Sequence, residues 1–293
     1  MNLKNLQQEL FERKMNIMEY FGVAFDAFKI LLKENKFLMF FSFLITFFTV
    51  TLVVVVQILK IVLEIGGWEQ DVAAGLMIMS IILLLFNMIS SFFKGYFFRK
   101  VAFKMENNKS NLKLSELFIK VVITLGICLV LGLVFFFVDD KVAGMLNFLL
   151  IVVYVWALLY IEGYYVRSFG LKESIEYSME LSKGNRTRVI VPMVLTVIVI
   201  ILEVILLMFL LKDESEMITV MSILSFLVFL SITAIIIVYM EILNIVIFLN
   251  VENDYLKNKG EYSKFNLKNR QKNDNVLDDE FKSETENKDD NLE

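Results

Sequence analysis

The sequence predicts an all-α polytopic membrane bundle of six transmembrane helices, arranged as three hairpins with amphipathic helices on the cytoplasmic surface. Three observations carry this prediction. Of 293 residues, 57% are hydrophobic and only 21% charged, with a mean hydropathy of +0.66. Ordinary globular compositions are nearly half polar or charged, and a soluble core of this size could not hide so much apolar surface. Five to six runs of about twenty apolar residues match the ~30 Å hydrocarbon thickness of a bilayer. The basic residues concentrate in alternate connections between those runs, on one side of the membrane.

The elements follow in chain order. Residues 1–36 form a cytoplasmic amphipathic segment without the early apolar run and small-residue site of a signal peptide. Leu3, Leu6, Leu10, Phe11 and Met18 indicate a first helix. Phe21, Phe25, Phe28, Leu31 and Leu32, opposite Asp26, Lys29 and Lys33, indicate a second. That second helix lies in the cytoplasmic interface or packs under the bundle. The transmembrane domain is expected over 37–250. Span one covers Phe37 to about Leu59, with Lys60 and Glu64 near its far end and a turn at Gly66-Gly67-Trp68. Span two covers about Val72 to Phe93 and runs into a basic collar, Lys94, Arg99 and Lys100.

A polar connection over 104–117 ends in a short amphipathic pattern, Leu112, Leu114 and Leu117. Span three covers Phe118 to Val138, and Asp139-Asp140-Lys141 turns the chain into span four, about Met145 to Ile161. Tyr154, Trp156, Tyr160, Tyr164 and Tyr165 toward its end read as an interfacial aromatic belt. The stretch FGLKESIEYSMELSKGNRTR, from Phe169, reads as an amphipathic helix and a basic turn, leading into span five from about Val189 to Leu211. After the turn Lys212–Glu216, an apolar run of 34 residues, Met217 to Asn250, closes the membrane domain. At 1.5 Å per residue it would reach roughly 51 Å, so it either protrudes into the cytoplasm or breaks, and Glu241 near its end favours protrusion. The final segment, 251–293, carries twelve acidic and eight basic residues with few large apolar ones, a composition expected to give a largely disordered cytoplasmic tail.

Orientation follows from charge. The N-terminal segment, the connections after spans two and four, and the tail hold 26 of the 29 Lys and Arg residues. The other three, Lys60, Lys141 and Lys212, mark the opposite side. An even number of spans with both termini cytoplasmic is the reading this bias supports.

Composition also excludes chemistry. The chain has no His, which removes His-ligated zinc, His proton relays and Ser-His or Cys-His nucleophilic machinery. The single Cys128 lies in an apolar run and cannot form an intramolecular disulfide. No phosphate-cradling, dinucleotide-binding or zinc-protease motif occurs in a fitting context. No cofactor, metal or catalytic group is expected. The expected partners are the lipid bilayer and anionic headgroups, not nucleic acid.

Three approaches to the membrane share one order of elements. Phe21-Gly22 leads through a helix to Asn35-Lys36 and span one, and Ser110 leads through Leu112–Leu117 to span three. Phe169-Gly170 leads through Ile175 and Met179 to Asn185-Arg186 and span five. The segment SIEYSMELSKGNRTRVIVPMVL, with its counterpart AFDAFKILLKENKFLMFFSFL, resembles uncharacterised bacterial six-helix inner-membrane proteins. It is also similar to the membrane domain attached to some glycerophosphodiester phosphodiesterases. That resemblance would cover about residues 20–250. It implies a fold and an inner-membrane location, and it carries over no active residue.

Among candidate functional residues Glu203 stands first. It lies about 21 Å into span five, where a carboxylate costs roughly 2.5–3.5 kcal/mol, so it should face the bundle interior, pair or be protonated. It reads either as a proton- or cation-responsive group with Thr196 on the same face, or as a carboxyl that glues neighbouring helices together. Glu241 and Asn244 share a face near the exit of span six, with Ser231 and Thr233 further up it. Lys94, Arg99, Lys100, Arg186 and Arg188 are candidates to face anionic headgroups, or simply hold topology. The function expected is that of a non-enzymatic membrane scaffold or lipid-interacting factor. The alternative is a small transporter or permease subunit using Glu203 in a cavity.

Overall fold

A computed structural model describes residues 3–12, 14–66, 69–106, 114–137, 142, 145–146, 159–167, 169–211 and 220–259. Among the described residues the chain is helical, with no strand. The helices are α1 (Leu3–Glu12), α2 (Ile17–Glu34), α3 (Lys36–Gly66), α4 (Glu69–Glu106), α5 (Leu114–Phe137), α6 (Tyr160–Val166), α7 (Leu171–Ser182), α8 (Arg186–Leu211) and α9 (Val220–Lys259). The chain divides into two units, Met1–Asn250 and Val251–Glu293. Of the second unit the described part is the end of α9, so the expected tail begins as helix. Residues 260–293 lie outside the described residues, as do the turns expected at Gly67-Trp68, Asp139–Lys141 and Lys212–Glu216.

Two described helices are long and apolar enough to cross a membrane, over Lys36–Val56 and Ser225–Asn258. A third qualifies if Leu171–Ser182 and Arg186–Glu203, which meet at a bend of 100°, are taken together. The chain is thus a membrane protein by length and composition of its helices. Helices α4 and α5 cover the expected second and third spans, and the expected fourth lies almost wholly outside the described residues.

The amphipathic helices α2 and α7 begin with the same device. The Glu19 carboxylate accepts the Asn16 N–H at 2.8 Å, and the Glu173 carboxylate accepts the Gly170 N–H at 3.0 Å, so each third-position Glu satisfies a backbone donor at the helix start. Helix α2 passes through Asn35 alone into α3 at Lys36, whereas α7 ends at Ser182 and the turn Lys183-Gly184-Asn185 bends the chain by 100° into α8 at Arg186. That turn uses Gly184 at φ 79°, a left-handed conformation in which a side chain would be strained. The register of the repeat differs from the expected one: Phe21-Gly22 lies inside α2, whereas Phe169-Gly170 precedes α7. The middle approach differs too, because Leu114 and Leu117 belong to the same unbroken helix as span three.

The first amphipathic helix is also shorter than the apolar pattern predicts. Helix α1 stops at Glu12, and Met18 belongs to α2, where it is exposed rather than packed. Nor does α2 bury its phenylalanine stripe: its buried residues are Tyr20, Val23, Ala24, Ala27 and Leu31. Small side chains on that face let α2 approach its neighbours α1, α3 and α8 closely.

Helix α9 runs unbroken for 40 residues, roughly 60 Å, so the last apolar run does not break from Val220 onward. Its residues 241–250 are buried nearly all round, from Ile242 through Leu249. Phe97, Phe98, Val101 and Ala102 of α4, Leu117 and Val121 of α5, and Leu159 and Tyr164–Val166 around α6 are buried as well. By contrast Val194, Leu195, Val197, Ile198, Val199, Ile201 and Leu202 of α8 are exposed, as are Phe40, Phe41, Phe48 and Val53 of α3. The protein core therefore lies at the ends of the helices, beyond Val238, and the apolar stretches face outward.

Candidate functional site: a charged network at the helix ends

Three linked groups of polar side chains hold this core together. The first sits where α4, α6 and α9 meet. Lys94 Nζ lies 3.0 Å from Glu241 Oε1, joining the end of the expected second span to α9. The neighbouring Gly95 lets α4 lie close to α6 and α5: a Cβ there would lie 2.6 Å from Tyr165 Cδ1 and 2.7 Å from Leu117 Cδ1. Glu162 of α6 is only 2% exposed, and its Oε2 has no hydrogen-bond partner among the described residues. Burial pushes the Glu162 carboxyl up to about 7; its own backbone and Lys94 pull it down, and the nearby Glu241 adds to the rise. A buried carboxylate this poorly compensated takes up a proton rather than keep its charge.

The second group ties α4, α5 and α6. Arg99 Nη2 donates to both oxygens of Glu116, each at 3.3 Å, and Lys120 Nζ lies 3.3 Å from the same carboxylate. Burial alone would raise the Glu116 carboxyl, but Arg99 and Lys120 together hold it below the usual carboxylate value. Lys120 Nζ also donates to the Tyr164 carbonyl and, at 2.8 Å, to the Arg167 carbonyl, capping the end of α6. Tyr164 returns its hydroxyl to the Lys120 carbonyl at 3.2 Å. Arg167 then makes a two-pronged contact with Glu106, at 3.1 and 2.5 Å, back to the end of α4.

The third group fastens the N-terminal helices onto α8 and α9. Asn250 Oδ1 accepts from Arg188 Nη2 at 2.6 Å, the Tyr20 hydroxyl at 2.9 Å and the Met15 N–H at 3.3 Å. Its Nδ2 donates to the Leu10 carbonyl at 2.7 Å. Arg188 Nε donates to the Tyr20 hydroxyl at 3.0 Å, and Nη1 donates to Asn185 Oδ1 at 2.8 Å. One arginine at the first turn of α8 thus reaches α2, the α7–α8 turn and α9.

The structure redistributes the residues predicted from sequence. Glu203 does turn inward, as its cost in the membrane requires: the Thr233 hydroxyl of α9 donates to its Oε1 at 3.2 Å. Thr196 lies on the same inner arc, but its hydroxyl donates to the Pro192 carbonyl of its own helix at 2.8 Å. Glu241 is buried against Lys94. Of the five basic residues, Lys94, Arg99 and Arg188 turn to partners within the protein; Lys100, whose ammonium lies 5.8 Å from the Tyr96 ring centre, and Arg186 are the more exposed ones.

Sequence reasoning misses Glu162, Glu116, Lys120, Tyr20 and Asn250. The signal for Glu162 is a lone acid in the aromatic stretch YIEGYY, and that for Lys120 a lone cation two residues into an apolar run. Asn250 ends the last apolar run, a position that reads equally well as its solvated border.

Chemically, the arrangement pairs Glu241 with Lys94, keeps the Glu162 carboxyl in their field without a direct bond to Oε2 among the described residues, and locks helices together. Among the described residues no group of three or more His, Cys, Asp or Glu side chains is placed to hold a metal ion. Comparison of the chain with protein-family models, with curated proteins and with solved structures finds no match.

Proposed function

We propose that the chain is a six-span protein of a bacterial inner membrane, with both termini cytoplasmic, acting as a non-enzymatic membrane scaffold or lipid-interacting factor. One observation carries the reading. The polar mass forms a tied platform at the helix ends, joined by Lys94–Glu241, Arg99–Glu116 and Arg188–Asn250, while a largely aromatic face of α3 and an aliphatic face of α8 are left exposed. A rigid platform carrying apolar helices that face outward presents surfaces to lipid and to other membrane-embedded chains. The transport reading rests on Glu203, whose Oε2 is buried without a hydrogen-bond partner among the described residues.

The two readings part on one experiment. Purified chain is reconstituted into vesicles, and proton and monovalent-cation flux is followed for the wild type and for Glu203→Gln. The scaffold reading expects flux no greater than in protein-free vesicles for both. A flux that the substitution abolishes would replace it with transport.

A further inference from the structure

Helix α2 carries two apolar faces, one packed inside the molecule and one left exposed along much of its length, with Phe28 edge-on to Tyr239. Tyr20, Ala24, Ala27 and Leu31 are buried against neighbouring helices. Met18, Phe21, Phe25, Phe28 and Leu32 recur at helical spacing on another arc, where Met18, Phe25 and Leu32 are 74%, 50% and 45% exposed. Lys29 and Lys33 border that arc. The Lys29 ammonium lies 4.2 Å from the centre of the Phe25 ring, so its aliphatic stem runs beside the apolar face and its charge sits at the edge.

Three contacts set the level of α2 relative to the apolar helices. Its C-terminus passes through Asn35 alone into α3, whose first turns expose Phe37, Phe40 and Phe41. Tyr239, next to the expected exit of span six, donates its hydroxyl to the Phe21 carbonyl at 2.9 Å, and its ring lies edge-on to Phe28. The Tyr20 hydroxyl accepts from Arg188, one residue before the apolar run of α8 begins at Val189. The helix is therefore fastened at the polar ends of three apolar helices, with an aromatic stripe turned outward.

We propose that α2 is an in-plane membrane anchor, its Met18–Phe25–Leu32 face seated at the headgroup–acyl boundary of the cytoplasmic leaflet and Lys29 and Lys33 against anionic headgroups. This rests on the membrane reading above. A lipid surface is the occupant because the first turns of α3, one residue beyond α2, also expose aromatic side chains, Phe37, Phe40 and Phe41, and because Lys29 and Lys33 are the charges next to the stripe, with Asp26 farther round the polar face. The consequence is that the anchor fixes the start of span one and, through Tyr20 and Arg188, the start of span five at one depth.

The test uses the full chain with Cys128→Ser, reconstituted into vesicles of phosphatidylethanolamine and phosphatidylglycerol. Nitroxide labels are placed singly through M18C, F25C and L32C on the stripe, K33C at its polar edge, and V53C on α3 as a bilayer reference. Collision with oxygen is compared with collision with a water-soluble nickel chelate. The expected result is that labels at 18, 25 and 32 meet oxygen more than nickel, as at 53, while the label at 33 meets nickel more. Stripe labels that favour nickel, or that meet neither reagent because protein covers them, would overturn the anchor while V53C still favours oxygen. Nickel preference at 53 would overturn the membrane reading as well.

Discussion

Replacing Arg188 by Met should loosen the molecule more than any other single change at the helix ends. The guanidinium makes three described hydrogen bonds, to Tyr20, Asn185 and Asn250, at 3.0, 2.8 and 2.6 Å. Hydrogen bonds to charged groups contribute about 1.5–3 kcal/mol each, but bonds within one network do not add. Breaking a buried charged network from one side typically costs about 3–5 kcal/mol, because the remaining polar groups stay buried without their partner. R188M is therefore expected to lose about 3–5 kcal/mol in reversible unfolding by SDS in mixed micelles. N250A removes the acceptor shared by Arg188, Tyr20 and Met15, and should lose about 2–4 kcal/mol. The two changes act on one network, so the double variant should fall short of the sum by about 1.5–3 kcal/mol. Trypsin should cut at Lys14 faster in either variant, since α1 and α2 lose their tie to α8 and α9. Additive losses, or an R188M loss below about 0.5 kcal/mol, would refute the clasp.

Other expectations follow from the remaining contacts. Gly95→Ala places a methyl group 2.6–2.8 Å from the Tyr165 ring and Leu117, and should cost about 1–3 kcal/mol; partial recovery on adding Leu117→Ala would show the cause is crowding, and an unchanged midpoint for G95A would remove it. Burial raises the Glu162 carboxyl from 4.5 to about 7, so the folded state binds the proton more tightly than the unfolded chain. Its contribution is full below about pH 4.5 and is lost as pH rises to about 7, a difference of roughly 2–4 kcal/mol. Unfolding midpoints between pH 5 and 8 should fall less steeply in Glu162→Gln than in the wild type, and parallel curves would contradict the assignment. Glu203→Gln keeps an acceptor for the Thr233 hydroxyl and should change stability by less than about 1 kcal/mol in the same unfolding assay.

Hydropathy and charge by themselves make the helical class, the membrane setting, the helix break at Asn35 and the turn before Arg186 legible. Each depends on local chemistry, on apolar run length and on the residue at a helix boundary. The charged network is not legible in the same way, because its partners are far apart in sequence: Lys94 meets Glu241, and Asn250 meets Leu10 and Tyr20. A general excess of Lys and Asn in the composition also argues for discounting single residues of those types, yet Lys120 and Asn250 are tie points. The last apolar run shows the same limit. Its length reads as membrane span plus overhang, yet residues 241–250 are apolar because they are buried in a protein core beyond the expected exit. A stretch buried by lipid and one buried by protein have the same composition, so only packing separates them. The phenylalanine stripe of α2 repeats the point in reverse: its spacing announces an apolar face, and the packed face is the adjacent one built of alanines.

The proposed topology puts the charged platform of α4, α6 and α9 on the cytoplasmic side beneath an even number of spans. Paired alkaline phosphatase and fluorescent-protein fusions after Gly67, after Glu106 and at the C-terminus test it most directly. Phosphatase activity is expected only for the Gly67 fusion, and fluorescence only for the fusions after Glu106 and at the C-terminus. Fluorescence after Gly67, or phosphatase activity after Glu106, would contradict it.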